Sequence, residues 1–223
     1  MTLCRPLRGM SRAVTDPGGG RSKDMKHRTV LAALLLAACS VDGNVASANP
    51  AAKPSPSGKQ EVAILAGGCF WGMEHVMRNA PGVLSIEVGY AGGRSSKVSY
   101  EEVSSGDTGH AESVRIVFDP AQISYADLLT HWYFRGHDPT QLDHQNNDVG
   151  TQYRSEIFTT TPEQKTIAEF VRARVETTHE WKAHLVTRIE PATTWVRAED
   201  YHQDYLIKHP HGYNDHFLRA FDF

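Results

Sequence analysis

The sequence predicts an α+β fold, a two-layer sandwich in which a mixed sheet is covered by helices. Three observations predict it. Short apolar runs alternate with helical patterns from Glu61 onward. The runs are few and short. Two helix-start signatures, at Ser124 and Thr161, fall between strand-like runs.

Glu61 to Ala66 is a short apolar run and reads as a buried strand. Gly67 and Gly68 break it, and a helical pattern follows from Phe70 to about Arg78, before Pro81. Val83 to Gly89 alternates as a strand does, and the run Gly89 to Gly93 is turn-forming. Ser113 to Phe118 is a further strand, closed by Asp119 and Pro120. Ser124 and Asp127 form a capping box that opens a helix to about Arg135. Gly136 to Thr151 is long and polar. Tyr153 to Thr159 reads as a strand. Thr161 to Gln164 is a second capping box, with Pro162 at the first helical position, and its helix runs to about Glu176. Leu185 to Ile189 is the last clear strand, and Glu199 to Lys208 is a final helix stopped by Pro210. No internal repeat is present, and strand order does not follow from this pattern.

The amino-terminal part has a different character. From Met25 the chain has a short basic region, Lys26 and Arg28, then an apolar stretch from Val30 to Ala38. That stretch is much shorter than the ~20 residues that span a bilayer and fits the apolar core of a secretory signal. Leu36-Ala37-Ala38-Cys39 resembles the lipobox of bacterial lipoproteins. The Cys39 thiol would then carry diacylglycerol and become the mature terminus, and more than one acyl chain anchors stably. Residues 1–24 precede this start, so Met25 is the expected initiator. We read 1–39 as a leader, 40–59 as a flexible linker rich in Ala, Asn, Pro and Ser, and 60–223 as the catalytic domain. The expected location is the bacterial cell envelope, facing the periplasm. Ser40 does not resemble an inner-membrane retention signal, which favours the outer membrane.

Net charge is −3 and no basic stripe carries interleaved aromatics, so nucleic acid is not an expected partner. The three cysteines, Cys4, Cys39 and Cys69, are too few for a disulfide framework. Exported proteins usually pair their cysteines or lack them, so a solitary thiol at Cys69 suggests chemistry. The order strand, Gly-Gly, Cys69, helix places that thiol at a helix amino terminus, where unpaired amides and the dipole favour an anion. A thiol there ionises below its usual ~8.5. Phe70 and Trp71 follow; they either wall an apolar pocket or anchor the helix to the sheet, and spacing does not decide between these.

At this point a resemblance is visible. Gly68-Cys69-Phe70-Trp71-Gly72 resembles the signature of the peptide methionine sulfoxide reductase A family. Segments 89–93, 105–112, 137–140, 145–155 and 198–206 agree in the family's order, and the likeness covers about residues 60 to 215. The resemblance implies a ferredoxin-like core and reduction of the S epimer of methionine sulfoxide, free or protein-bound. It implies Cys69 as nucleophile, Glu112 as acid, and Tyr100 and Tyr153 as hydrogen-bond donors to the sulfoxide oxygen. Phe70 and Trp71 would hold the substrate methyl group, and Asp148, His202, Tyr205 and Tyr213 match supporting positions. A carboxylic acid with this role must be protonated near neutral pH, which burial can achieve. The product on the enzyme is a sulfenic acid at Cys69. Many members resolve it with a second cysteine near the carboxyl terminus, whereas here no cysteine appears from Tyr213 through Phe223. With Cys39 lipidated, Cys69 is the remaining thiol. We therefore expect regeneration by an external reductant, a thioredoxin-like protein or other thiol, with no bound cofactor or metal. A monomer is expected.

Three rivals remain open from the residues. Cys69 with His110 or His202 would make a Cys–His hydrolase or acyltransferase. His137, Asp138, Asp143 and His144 share one polar loop that offers cation ligands, although without a tight zinc spacing. A non-catalytic surface protein with the same fold is the third.

Overall fold

The computed structural model describes residues 58–223. The expected leader, with Met25 and the Cys39 lipidation site, and the linker up to residue 57 lie outside the described residues. The first strand, β1 (Glu61–Gly67), is followed by α1 (Phe70–Met77), β2 (Val83–Ala91), α2 (Tyr100–Ser104) and β3 (Ala111–Phe118). A helical segment comes next, formed by α3 (Tyr125–Asp127), a π-helical stretch over Leu128–Tyr133, and α4 (Phe134–Gly136). Two short strands, β4 (His144–Gln145) and β5 (Asp148–Val149), pair within the polar segment. A 3₁₀ turn over Thr151–Tyr153 leads into β6 (Ser155–Thr159), then α5 (Pro162–Thr178), β7 (Arg188–Pro191), β8 (Trp195–Arg197) and α6 (Tyr205–Lys208).

The main sheet has the order β7-β6-β1-β3-β2-β8. Strand β7 runs parallel to β6, and the other pairings are antiparallel, so the sheet is mixed as expected. Its inner four strands, with one helical crossover between β1 and β2 and another between β3 and β6, have the ferredoxin-like arrangement. Strand β1 is bonded on both sides, and Ala63, Leu65 and Ala66 are fully buried. That explains why its sequence is continuously apolar rather than alternating. The core joins β1, β2, β3 and α1 to Leu128, Leu129, Tyr133 and Phe134 of the helical segment and to Val171 and Val175 of α5.

Both expected capping residues act: Ser124 Oγ accepts from the Asp127 amide and Thr161 Oγ1 from the Gln164 amide. Several sequence expectations are corrected. Strand β2 continues through Gly89 to Ala91, because β3 and β8 flank it there. Tyr153 sits in the 3₁₀ turn rather than in the strand. The strand expected over Leu185 to Ile189 begins instead at Arg188, where parallel pairing to Glu156 starts; Val186 N donates to the Pro139 carbonyl, outside the sheet. Strand β8 was not anticipated. The helix expected over Glu199 to Lys208 forms only from Tyr205. Asp204 takes a left-handed conformation (φ 55°), and Gln203 spends its amide on the Val88 backbone.

Candidate active site

Cys69 follows the end of β1 and is the residue capping α1. The connection is tight. Gly68 has φ 101°, and a β-carbon there would lie 2.6 Å from Gln145 Cγ, so the position excludes a side chain on both backbone and steric grounds. Cys69 itself is buried, 1 % exposed, as are Phe70 and Trp71 beside it.

The amide of Phe70, the first of the helix, donates to Glu112 Oε2 at 3.0 Å. Glu112 lies near the start of β3, opposite Tyr90 of β2. The antiparallel β1–β3 pair thus brings Cys69 and Glu112 to one end of the sheet. The helix terminus expected to favour a thiolate is shared with this carboxyl group. Burial pushes the Glu112 carboxyl up to about 8; the Phe70 amide works in the opposite direction, and the charges of Asp148 and Asp215 push it further up. Near neutral pH the group is mostly the neutral acid. One oxygen accepts from Phe70, and the other is free to carry the proton.

The aromatic residues form one cluster. Phe70 packs against Tyr90 and His202, with ring centroids 5.9 and 5.0 Å apart. Trp71 stacks on Tyr205 at 3.7 Å and donates its indole N–H to His202 Nδ1 at 3.1 Å. An indole nitrogen only donates, so Nδ1 carries a lone pair and the His202 ring is neutral. Burial agrees, lowering His202 to about 4. Tyr100, the first residue of α2, lies 4.6 Å from the same imidazole, centroid to centroid. Tyr153 is fully buried in the core that holds Cys69, Phe70 and Trp71. The Tyr213 hydroxyl donates to Asp148 Oδ2 at 3.0 Å. The sequence-predicted residues therefore fall into two linked groups: Trp71, His202, Tyr205 and Tyr100 around one imidazole, and Glu112, Asp148 and Tyr213 around the acid.

Sequence reasoning missed three members. Glu199 accepts from the Tyr90 hydroxyl at 2.8 Å and from the Tyr100 amide at 3.0 Å, tying α2 to the sheet. It stood in the segment 198–206, where its neighbours drew attention instead. His216 and Asp215 carried no local signal, because their contacts are with β1 and the β4–β5 loop.

The rival arrangements find other partners. His202 Nδ1 is taken by Trp71, and His110 Nε2 faces the Ser95 carbonyl oxygen at 3.0 Å. Neither ring has the base-and-orienter geometry of a Cys–His pair. In the polar loop, His137 bonds through Nδ1 to the Tyr133 carbonyl oxygen and through Nε2 to Ser155 Oγ, at 2.9 and 2.8 Å. The Asp138 carboxylate accepts from Thr140 and Gln141, and Asp143 lies 3.4 Å from Arg188. These ligand candidates are bonded within the protein.

Residues 61–221 match the family model described as peptide methionine sulfoxide reductase. The peptide methionine sulfoxide reductase MsrA of Erwinia tasmaniensis is 52 % identical over 145 residues, covering 65 % of this chain and 80 % of that protein. Two solved structures are similar. Mxr1 of Saccharomyces cerevisiae in reduced form superposes with a TM-score of 0.69 at 36 % identity, covering 75 % of this chain and 96 % of the other. Methionine sulfoxide reductase A of Corynebacterium diphtheriae superposes with a TM-score of 0.65 at 35 % identity, covering 73 % and 81 %.

Proposed function

The chain belongs to the peptide methionine sulfoxide reductase family, and on that premise we propose that it reduces the S epimer of methionine sulfoxide, free or in oxidised proteins, with Cys69 as nucleophile. The observation that carries the assignment of roles is Glu112: a buried neutral acid bonded to the amide that follows Cys69. A sulfoxide needs a soft nucleophile at sulfur and a proton at oxygen. The Cys69 thiolate attacks the sulfoxide sulfur, and Glu112 gives its proton to the oxygen. The S–O bond breaks as oxygen passes to the Cys69 sulfur. Methionine leaves, Cys69 is a sulfenic acid, and Glu112 is ionised. Two electrons have moved from the thiolate to the substrate.

Tyr100 and Tyr153 supply O–H donors for the oxygen as its charge changes. Phe70 and Trp71 form the wall that receives the methyl group. Their close packing with His202 and Tyr205 supports a rigid wall, the property needed to tell two epimers apart. The negative charge of Asp148, partly neutralised by the Tyr213 hydroxyl, favours the protonated form of Glu112.

Regeneration falls to an external dithiol, a thioredoxin-like protein being the expected class. A first thiol condenses with the sulfenic acid, releasing water and giving a mixed disulfide, and a second thiol of the dithiol displaces Cys69 as a thiol, leaving the reductant as a disulfide. No cysteine follows Cys69 through Phe223, which supports this route. The lipobox-like segment supports a lipid anchor at Cys39 and a site of repair at the cell envelope. The replacement Cys39→Ser is expected to move the protein from the membrane fraction to the soluble fraction; unchanged fractionation removes the anchor.

A single-turnover assay on the full chain tests the reaction, with each epimer of a sulfoxide peptide supplied separately and no reductant. About one methionine per enzyme from the S epimer, with Cys69 lost as a thiol, is the expected result. No methionine with Cys69 still reduced overturns the reading.

A further inference from the structure

The turn that presents Cys69 has no side chains of its own to hold it. Gly67 and Gly68 form it, and Gly72 is the next glycine along the helix. Its constraints come from outside. The His137 ring lies against Gly67, Gln145 lies against Gly68, and His216 lies against both Gly68 and Gly72.

His216 is distinguished by bonding the backbone of the turn itself. Its Nε2 is 2.7 Å from the Gly67 carbonyl oxygen. A carbonyl only accepts, so Nε2 carries the proton and donates. The other ring nitrogen, Nδ1, lies 2.6 Å from Asp215 Oδ1, a close polar contact without hydrogen-bond geometry. The histidine is buried, 4 % exposed, although it lies on a carboxyl-terminal segment with no helix or strand.

That segment is itself tied down on both sides. Tyr213 reaches Asp148 at 3.0 Å, Asn146 Nδ2 reaches the Asp215 carbonyl oxygen at 3.2 Å, and the Arg219 amide reaches the Arg135 carbonyl oxygen at 3.0 Å. Burying an imidazole against a glycine carbonyl, at the end of such a segment, does nothing in the reaction described above. It does fix the residue immediately before the Gly68–Cys69 peptide.

We propose that His216 is a positioning residue for the reductase reaction, holding the Gly67–Gly68 turn so that the Cys69 sulfur is aimed for attack. This rests on the reading of Cys69 as nucleophile. His216 touches no reacting atom; it acts through the backbone. An attacking atom displaced by about 1 Å can lose on the order of 10²-fold in rate while binding is unchanged.

The test compares His216→Gln with His216→Asn in the full chain. A glutamine Nε2 can occupy the place of the imidazole Nε2 and donate to Gly67, whereas an asparagine is too short to do so. Two quantities are read: single-turnover rate and KM for the S-sulfoxide peptide, and the pH profile of Cys69 alkylation by iodoacetamide, followed on the Cys69 peptide by mass spectrometry. The expected result is a loss of about 10-fold or more in rate for His216→Asn with KM within about twofold, together with a shifted alkylation profile. His216→Gln is expected to recover most of both. Equal rates and profiles for the two variants, or a loss that lies wholly in KM, overturn the proposal. If the unmodified protein forms no methionine while His216→Asn alone shifts the alkylation profile, the reductase reading falls and the positioning of Cys69 stands.

Discussion

Two buried glutamates lie beside α1, one within it and one against its amino-terminal end, and they have different work. Glu74, within the helix, is 2 % exposed; Glu112, at its amino-terminal end, is 1 % exposed. Burial pushes both carboxyls above the usual range. Glu74 is then answered by a cation: Arg78 lies 2.8 Å away, and the Asp204 amide donates to the same oxygen at 3.2 Å. Glu112 receives one amide hydrogen bond and faces the charges of Asp148 and Asp215. The Arg78 cation ties Glu74 between α1 and the segment entering α6 and opposes the burial that raises it. Burial, with a further push from the charges of Asp148 and Asp215, favours the neutral acid at Glu112. Burial is common to both, so what separates them is the guanidinium that opposes it at Glu74.

The largest expected effect tests that separation directly. Glu112→Gln keeps an acceptor for the Phe70 amide but has no acid proton, so single-turnover methionine formation should fall by about 10²–10⁴-fold. The melting temperature should show the converse. The folded pKa of Glu112 lies above its unfolded value, so the native state binds the extra proton between the two. Wild-type stability contributed by this group therefore declines as pH rises from the ordinary carboxylate range through about 8. Glu112→Gln should lack that decline in melts at pH 5 and pH 9. A variant as pH-dependent as the wild type breaks the comparison.

The next effect is kinetic. With saturating S-sulfoxide, the wild-type single-turnover rate should fall above about pH 8 as Glu112 ionises. A rate that keeps rising past that pH would assign the proton to another group.

Glu74→Gln should act on stability instead. Arg78 loses its buried charged partner and keeps Asp204, at a penalty of about 1–3 kcal/mol, and each kcal/mol lowers the melting temperature of a domain this size by roughly 2–4 °C. The single-turnover rate should stay within about twofold, since no reacting atom is involved. A large kinetic loss at unchanged melting temperature would give Glu74 a chemical role and dissolve the contrast. The smallest effect is expected from Tyr213→Phe. Removing the hydroxyl from Asp148 leaves that carboxylate less well neutralised, so the alkaline limb of the rate should move slightly upward in pH. A downward movement would mean that Asp148 does not act on Glu112 through its charge.

Much of this was legible in the sequence where local patterns suffice. A strand buried on both faces wrote itself as an unbroken apolar run at Glu61–Gly67, and two glycines marked the turn before Cys69. Ser124 and Thr161 announced their helices because capping is a bond between near neighbours. The losses occur where distant partners decide. Strand β7 starts at Arg188 because β6 pairs with it there, a register that apolar periodicity cannot reveal. Strand β8 is a short, partly exposed edge element that exists through its pairing with β2. The helical pattern after Glu199 failed because Glu199 and Gln203 bond to other elements and Asp204 turns left-handed. The same logic hid His216, whose purpose is defined by a carbonyl group at the other end of the domain.

The attachment of Cys69 and Glu112 to the innermost strands has a further consequence. Strands β1 and β3 are each paired on both sides, and amides of such central strands exchange through the larger openings of a domain, whereas loops exchange through smaller ones. Cys69 follows the end of β1, a strand paired on both sides. Its backbone is thereby anchored to the most persistent part of the fold, while substrate, reductant and oxidant alike must reach its sulfur in the native state.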